Sequence, residues 1–388
     1  MDKITKSTII DLGAERQGPC VSLYMPVVSA GPQVRQNPIR LSNLLRGARE
    51  RLAETADSKE LLSLLEQAEE TLADKSADPK GQPGDGFALF AAPGMVRTLN
   101  VPFPVEEQVT ICRRLVTRPL LPALGGGADF YVIALSRNSA ELFHASSGDI
   151  EEVDVEGMPR GLIDLEKYED PEKSVQTHPS GYSQRGFHGH GTHKDSALEH
   201  LEEEYVRDVA TAVAQELKDS DAPLVVSAAE EILALYRKHN TYPHVLDDAI
   251  EGSPDRTEAE RLREEGREII RASMGAARKQ AVLRYADLSS TERTTDDAGE
   301  VVRMAIQGRV QELFVAEEAE WWGRIKEDMS GVISSSSQGP DDDDIIDFAA
   351  VTALGYGGTV CLLPLDSMPR QLGGGPVSGG PLAAILRE

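Results

Sequence analysis

Cysteine is scarce in this sequence. Three occur in 388 residues, Cys20, Cys112 and Cys361, far apart and odd in number. No Cys-x-x-Cys is present, so neither a disulfide framework nor a zinc ribbon is indicated. Cys20 and Cys361 lie in apolar, strand-like runs, where cysteine acts as a small buried hydrophobe. Long apolar runs are missing too: nothing approaches the roughly 20 residues that cross a bilayer. Residues Met1 to Gln17 hold no apolar core of signal-peptide length, and a cytoplasmic protein with no membrane segment is expected. Basic residues are outnumbered, 40 Lys and Arg against 65 Asp and Glu, giving a formal net charge of −25. That balance excludes a broad surface for naked nucleic acid, which is held mainly by Lys and Arg. DNA is therefore not an expected partner, although a local patch can still touch a nucleoprotein. No Ser-His-Asp motif, phosphate-cradling P-loop or dinucleotide fingerprint occurs.

What is present reads as an α/β protein of several domains, since 388 residues exceed one ordinary core. Residues 1–125 form an expected N-terminal α/β domain. Its strands are Cys20–Pro26, Phe87–Ala91, Met95–Val101 and Val109–Leu115. Its helices carry Leu41, Leu44, Leu45, Ala48 and Leu52, then Leu61, Leu62, Leu65 and Ala68, at three- and four-residue steps. Gly125-Gly126-Gly127 marks a hinge, and residues 126–289 form the expected middle domain. Three strands joined by tight turns (129–136, 140–145, 150–155) predict an antiparallel meander. A helix over 196–218 follows, with Leu201, Tyr205, Val209, Val213 and Leu217 on one face and Asp195 or Ser196 as its cap. A strand at 223–228, a helix at 230–239 and a long polar helix at 257–288 complete it. The order predicts a mixed sheet covered by helices, of ribonuclease-H-like kind. Residues 290–388 form the expected C-terminal domain, an α/β/α sandwich ending in an edge strand over 381–387. Within it Glu327 to Asp344 reads as a mobile polar loop, and Asp341 to Asp344 as a solvated helix N-terminus.

One stretch stands apart. From Lys173 to Lys194 there is no carboxylate, where the chain-wide frequency gives about four. Five of the eight histidines fall between His178 and His200. The loop 173–195 culminates in Phe187-His188-Gly189-His190-Gly191-Thr192-His193-Lys194-Asp195 and opens on an amphipathic helix. The positive end of a helix dipole welcomes an anion. Further along, Tyr242 in Asn240-Thr241-Tyr242-Pro243 is expected to fix a corner, since Pro243 cannot continue a helix. Trp321 and Trp322 are the only tryptophans; a core role is expected for one and a surface role for the other.

Several segments together resemble a known family: Gly31-Pro32 with Asn37-Pro38-Ile39-Arg40-Leu41, Phe187-His188-Gly189-His190-Gly191 before the helix, Asn240-Thr241-Tyr242-Pro243-His244, Gly308-Arg309-Val310, Gly357-Gly358-Thr359-Val360 and Ala383-Ala384-Ile385-Leu386-Arg387. The chain resembles the bacterial archaeo-eukaryotic release factor family, in particular its third subfamily. These are bacterial relatives of the archaeo-eukaryotic peptide-chain release factors and of the rescue protein Pelota. The resemblance implies a ribonuclease-H-like middle domain and a C-terminal domain like the kink-turn-binding ribosomal proteins. It implies a ribosome-associated translation factor, in termination-like, rescue or quality-control work, that meets the ribosome, tRNA or rRNA through the 173–195 loop. In release factors that loop carries Gly-Gly-Gln, which positions the water that cleaves the peptidyl-tRNA ester. Here Gly191, Thr192 and His193 stand at the three positions, so the hydrolytic motif is degenerate. Thr192 resists backbone shapes that glycine permits. His193 is the one candidate catalytic residue, able to hold or pass a proton near neutral pH. Arg185, His188, Gly189, His190 and Lys194 are the candidate ribosome or RNA contacts.

Three other readings of the loop remain. It is a plain surface feature, or it docks a partner outside translation in a non-enzymatic interaction protein. Alternatively, His188, His190 and His193 hold a catalytic zinc in a metal-dependent hydrolase. That last reading needs support from groups behind the ligands that the sequence does not display. No cofactor is expected outside it.

Overall fold

The computed structural model describes residues 4–14, 16, 18–28, 32–53, 58–75, 85–125, 129–146, 150–163, 192–255, 257–339, 341–370 and 380–388. These form two compact units. One is Asp129–Ala272; the other joins Met1–Ala128 to Ser273–Glu388.

The chain begins with α1 (Lys6–Gly13), capped by Thr5, whose Oγ1 accepts from Thr8 N at 3.2 Å. Then come β1 (Cys20–Pro26), α2 (Gln36–Ala53), α3 (Lys59–Lys75), β2 (Gly86–Ala92), β3 (Met95–Val101) and β4 (Gln108–Cys112). The strands form an antiparallel sheet in the order β3-β2-β1-β4. Both faces of its central strands are buried, so β1 and β2 read as continuous apolar runs rather than alternating ones. Val21, Leu23, Phe87 and Leu89 meet Leu41, Leu45, Leu52, Leu61 and Leu65 of α2 and α3, on the stripe the spacing predicts.

The Asp129–Ala272 unit starts with β5 (Asp129–Leu135), β6 (Ala140–Ser146) and β7 (Ile150–Val153). It continues through α4 (Thr192–Glu216), β8 (Leu224–Ala228), α5 (Glu230–His239) and β9 (Ile250–Glu251) into α6 (Ala259–Leu288). The sheet order is β7-β6-β5-β8-β9; the first three strands are antiparallel neighbours, while β8 and β9 run parallel to β5. This is the mixed sheet expected from a meander followed by strand–helix alternation. Tyr205, Val206, Val209, Val213 and Leu217 of α4 are buried against Ile133, Leu135, Leu142 and Val226.

The last segment holds β10 (Thr294–Thr295), α7 (Ala298–Ile306), β11 (Val310–Ala316), β12 (Trp322–Ile325), β13 (Val332–Ser334), β14 (Asp343–Asp344), α8 (Ile345–Gly355), β15 (Thr359–Leu363) and β16 (Leu382–Leu386). Its main sheet runs β10-β16-β11-β15. Leu313 and Val315 face α7 and α8, and Phe314 and Ala316 face Ala281 and Tyr285 of α6. Helices thus cover both faces, as expected of a sandwich. One buried cluster draws on both ends of the chain: Ile9, Leu12, Tyr24 and Phe90 share it with Val302, Ile346, Ala350, Leu382 and Leu386. A Cβ on Gly13 would lie 2.6 Å from Val351 Cγ2, so α1 and α8 touch backbone to side chain there.

Four expectations need correction. Helix α4 starts at Thr192 rather than Ser196, so Asp195 and Ser196 lie inside it rather than before it. Strand β16 is not an edge, because β10 and β11 flank it. The polar segment 327–344 is not a plain loop: β13 and β14 pair with β12 on either side. Finally, Asp342, Asp343 and Asp344 are buried rather than solvated, at 4%, 1% and 5% exposure. Guanidinium groups supply what solvent does not. Arg114 meets Asp343 at 2.7 Å, Arg118 meets Asp344 at 3.4 Å and Arg324 meets Asp342 at 3.4 Å. Asp344 does cap α8, accepting from Ile346 N and Asp347 N at 3.0 and 3.1 Å. Trp321 packs on the shared cluster and donates to Ser334 Oγ at 2.9 Å, while Trp322 opens β12.

Candidate functional site

A tight turn joins β5 to β6 in the Asp129–Ala272 unit. Ser136 Oγ accepts from Asn138 N and Ser139 N, both at 3.0 Å, which closes the turn. The same hydroxyl donates to Asp255, and Asn138 Nδ2 donates to the other Asp255 oxygen at 2.7 Å. These two donors, Ser136 first, hold the Asp255 carboxyl below its usual range.

Arg137, at the tip of that turn, ties down the chain on both sides of the 164–191 segment. On the leaving side its carbonyl accepts from Leu162 N at 3.0 Å, and Arg160 O accepts from Ala140 N at 3.0 Å. A Cβ at Gly161 would lie 2.5 Å from Asn138 O, so only glycine permits this approach. On the returning side the guanidinium grips Glu202 of α4 with a two-pronged contact, Nε to Oε1 at 2.7 Å and Nη2 to Oε2 at 3.1 Å. Nη2 also reaches Glu231 of α5 at 3.3 Å. Glu202 is 6% exposed, and a buried carboxylate held by an arginine fork is a fixed point rather than a surface contact.

Of the residues singled out in the sequence, Arg185, His188, Gly189, His190 and Gly191 lie outside the described residues. So does the loop as a ligand set, including its zinc alternative with His193. Thr192, His193 and Lys194 form the first turn of α4, where backbone N–H groups have no partner within the helix. His200, two turns further on, is exposed. Among the described residues no group of three or more His, Cys, Asp or Glu is placed to hold a metal ion. No helix among them is long and apolar enough to cross a membrane. Sequence reading passed over Arg137 and Glu202, yet a signal was there. Glu202 falls on the apolar stripe with Val206, Val209 and Val213, and a carboxylate in a buried stripe requires a buried partner.

The far end of α4 is fixed by the Tyr242 corner. Asn240 exchanges hydrogen bonds with Tyr242: Asn240 Nδ2 donates to Tyr242 O at 2.8 Å, and Tyr242 N donates to Asn240 Oδ1 at 3.1 Å. The Tyr242 hydroxyl donates to Ala222 O at 2.6 Å and lies 3.0 Å from Ser220 O. Burial pushes that phenol up. The corner is structural, as expected. Next to it, Glu203 of α4 binds Lys238 Nζ at 2.6 Å and His239 Nε2 at 3.0 Å. The Lys238 hydrogen bond, then that of His239, lowers its carboxyl.

Comparison with known proteins adds to this geometry. No curated protein matches the chain in sequence. Among solved structures, the archaeal translation termination factor aRF1 is 14% identical over 99% of this chain and 99% of that one, with a TM-score of 0.22. Ribosome-bound archaeal Pelota, in a structure with ABCE1, is 15% identical over 76% of this chain and 73% of that one, TM-score 0.38. Dom34 of S. cerevisiae, described as a translation termination-like factor involved in RNA quality control pathways and interacting with Hbs1, is 10% identical over 76% and 75%, TM-score 0.38. Residues 129–309, from β5 to the glycine turn before β11, match the model of the bacterial archaeo-eukaryotic release factor family 3, the family that the sequence resembles.

Proposed function

We propose that this chain is a ribosome-directed, termination-like translation factor, with the 173–195 segment as the part presented to the ribosome. The observation that carries the reading is the double anchor at Arg137. It holds the residues before and after the carboxylate-free segment to one rigid turn of the matched region. A segment that must reach into a crowded ribonucleoprotein needs such a base, since misplacement by about 1 Å is costly where geometry decides the outcome. Arg185, His188, Gly189, His190 and Lys194 supply the polar and cationic contacts, and the N-terminus of α4 adds its dipole. The strand order of residues 129–272 supports the ribonuclease-H-like reading of this unit. Gly191, Thr192 and His193 replace the Gly-Gly-Gln of the hydrolytic factors, so binding without ester cleavage is the expected mode. Rescue or quality control in the cytoplasm is the work that fits such a mode. Co-sedimentation with ribosomes at two salt concentrations tests it, comparing the wild type with a variant carrying His188→Ala, His190→Ala and His193→Ala. Weaker pelleting of the variant is expected at both salt concentrations, with no peptidyl-tRNA cleavage by either protein. Failure of the wild type to pellet with ribosomes overturns the reading.

A further inference from the structure

Three separated segments of the C-terminal sheet meet at one corner: Gly308-Arg309 before β11, Tyr356-Gly357-Gly358 before β15, and Arg387 after β16. Tyr356 is 55% exposed, an unusual position for an aromatic ring in a chain only 5% aromatic. The ring rests on Gly308, where a Cβ would lie 3.0 Å from Cδ1 and 3.1 Å from Cγ. Gly308 and Gly357 have φ of 70° and 82°, so both turns need glycine. The Tyr356 carbonyl accepts from Arg387 Nη2 at 2.5 Å, and Arg309 O accepts from Arg387 N at 2.7 Å. Lys6 Nζ donates to Gly358 O at 3.1 Å. Arg309 is exposed, and its side chain has no hydrogen-bonding or ionic partner among the described residues. The carboxylate next in the chain, Glu388, is held by Arg293 at 3.0 Å.

From this geometry we propose that Tyr356, with Arg309, Arg387 and Lys6, is a contact for an unpaired RNA strand: one base stacks on the Tyr356 ring and the neighbouring phosphates meet the cations. A ring seated against the Gly308 backbone still presents an exposed surface, and any base offers a face to it. Three cationic residues gathered at the corner that carries the ring match a phosphodiester backbone. An acidic peptide would use the cations and leave the ring unused. The contact lies in the other compact unit from the 173–195 segment, and it stands without the ribosome reading, because its probe is free RNA.

The test is fluorescence anisotropy of the full chain with a short labelled single-stranded RNA, beside an abasic strand of equal length. Tyr356→Ala is expected to weaken binding of the normal strand roughly tenfold, and Tyr356→Phe to keep it, because stacking needs the ring and not the hydroxyl. Arg309→Glu is expected to weaken both strands and lower the salt slope by about one. Melting temperatures of all variants are expected to stay with the wild type, since the side chains are exposed. No binding of RNA by the wild type overturns the proposal. So does equal affinity for the abasic strand, or a Tyr356→Ala variant that is folded and binds as before. The triple-histidine variant, which tests the ribosome reading, is expected to bind this RNA unchanged.

Discussion

Arg137 and Glu202 form a pair whose two ends differ in surroundings: the guanidinium is half exposed and the carboxylate is buried. Removing the arginine therefore strands a desolvated charge, whereas removing the carboxylate leaves a cation that water accepts. Arg137→Ala is expected to lower the stability of the Asp129–Ala272 unit by about 1–3 kcal/mol, and Glu202→Gln by less. A double-mutant cycle read by urea unfolding measures the difference; equal effects would show that the pair is not buried in solution. Arg137→Lys is expected to behave nearly as the alanine variant, because an ammonium cannot fill the fork. Asp347 makes a second residue-scale case. Burial, and then the charge of Asp344, push its carboxyl up to about 7, while Thr117 donates to it through N at 2.9 Å and Oγ1 at 3.0 Å. The folded state therefore keeps a proton that the unfolded chain gives up near pH 4. Stability from this group is full below that pH and declines as pH rises toward about 7. Thermal melts from pH 5 to 8 are expected to fall more steeply for the wild type than for Asp347→Asn.

Helix α6 shows how one element carries opposite responses to one substitution. At Gly266 a Cβ would sit 2.7 Å from Cε2 of Phe130, a ring only 1% exposed and unable to move aside. At Gly275 nothing lies within 4 Å. Gly→Ala gains about 1 kcal/mol of helix propensity at either site, but overpacking at the first costs about 1–3 kcal/mol. Gly275→Ala is expected to raise the melting temperature and Gly266→Ala to lower it, and circular dichroism melts decide. This scale is also where the sequence was most legible. The stripes of α2 and α4 and the apolar runs of β5 and β8 could be read directly, because helix and strand periodicity is local. What escaped reading was non-local. Asp342 to Asp344 look like a solvated charge run until Arg114 and Arg118, more than 200 positions away, are brought to them. Strand β16 looks terminal in sequence, and only pairing on both sides makes it interior. At the candidate site, the glycine–histidine segment and the turn at residues 137–139 were both visible in the sequence, while the pairing of Arg137 with Glu202, 65 positions away, was not.

At the scale of the molecule, residues from both ends of the chain complete one core. Ile9, Leu12, Tyr24 and Phe90 have as neighbours Val302, Ile346, Ala350 and Leu386. Segments 1–125 and 290–388 expressed separately are expected to show poor solubility and weak amide protection, and to recover both when produced together. Independent, well-protected folding of 1–125 alone would contradict the shared core. The contiguous unit 129–272 carries its own cluster. The interrupted unit also imposes an order on synthesis. When residue 128 leaves the translating ribosome, half of the Met1–Ala128 core has no partner. At about 5–20 residues per second, roughly 10–50 s pass before the last strand arrives. During that interval the apolar faces of α1 and β2 stand open to chaperones and to other nascent chains, while the inserted unit can already close. For this chain, the yield of folded protein is thus tied to how fast its second half is made.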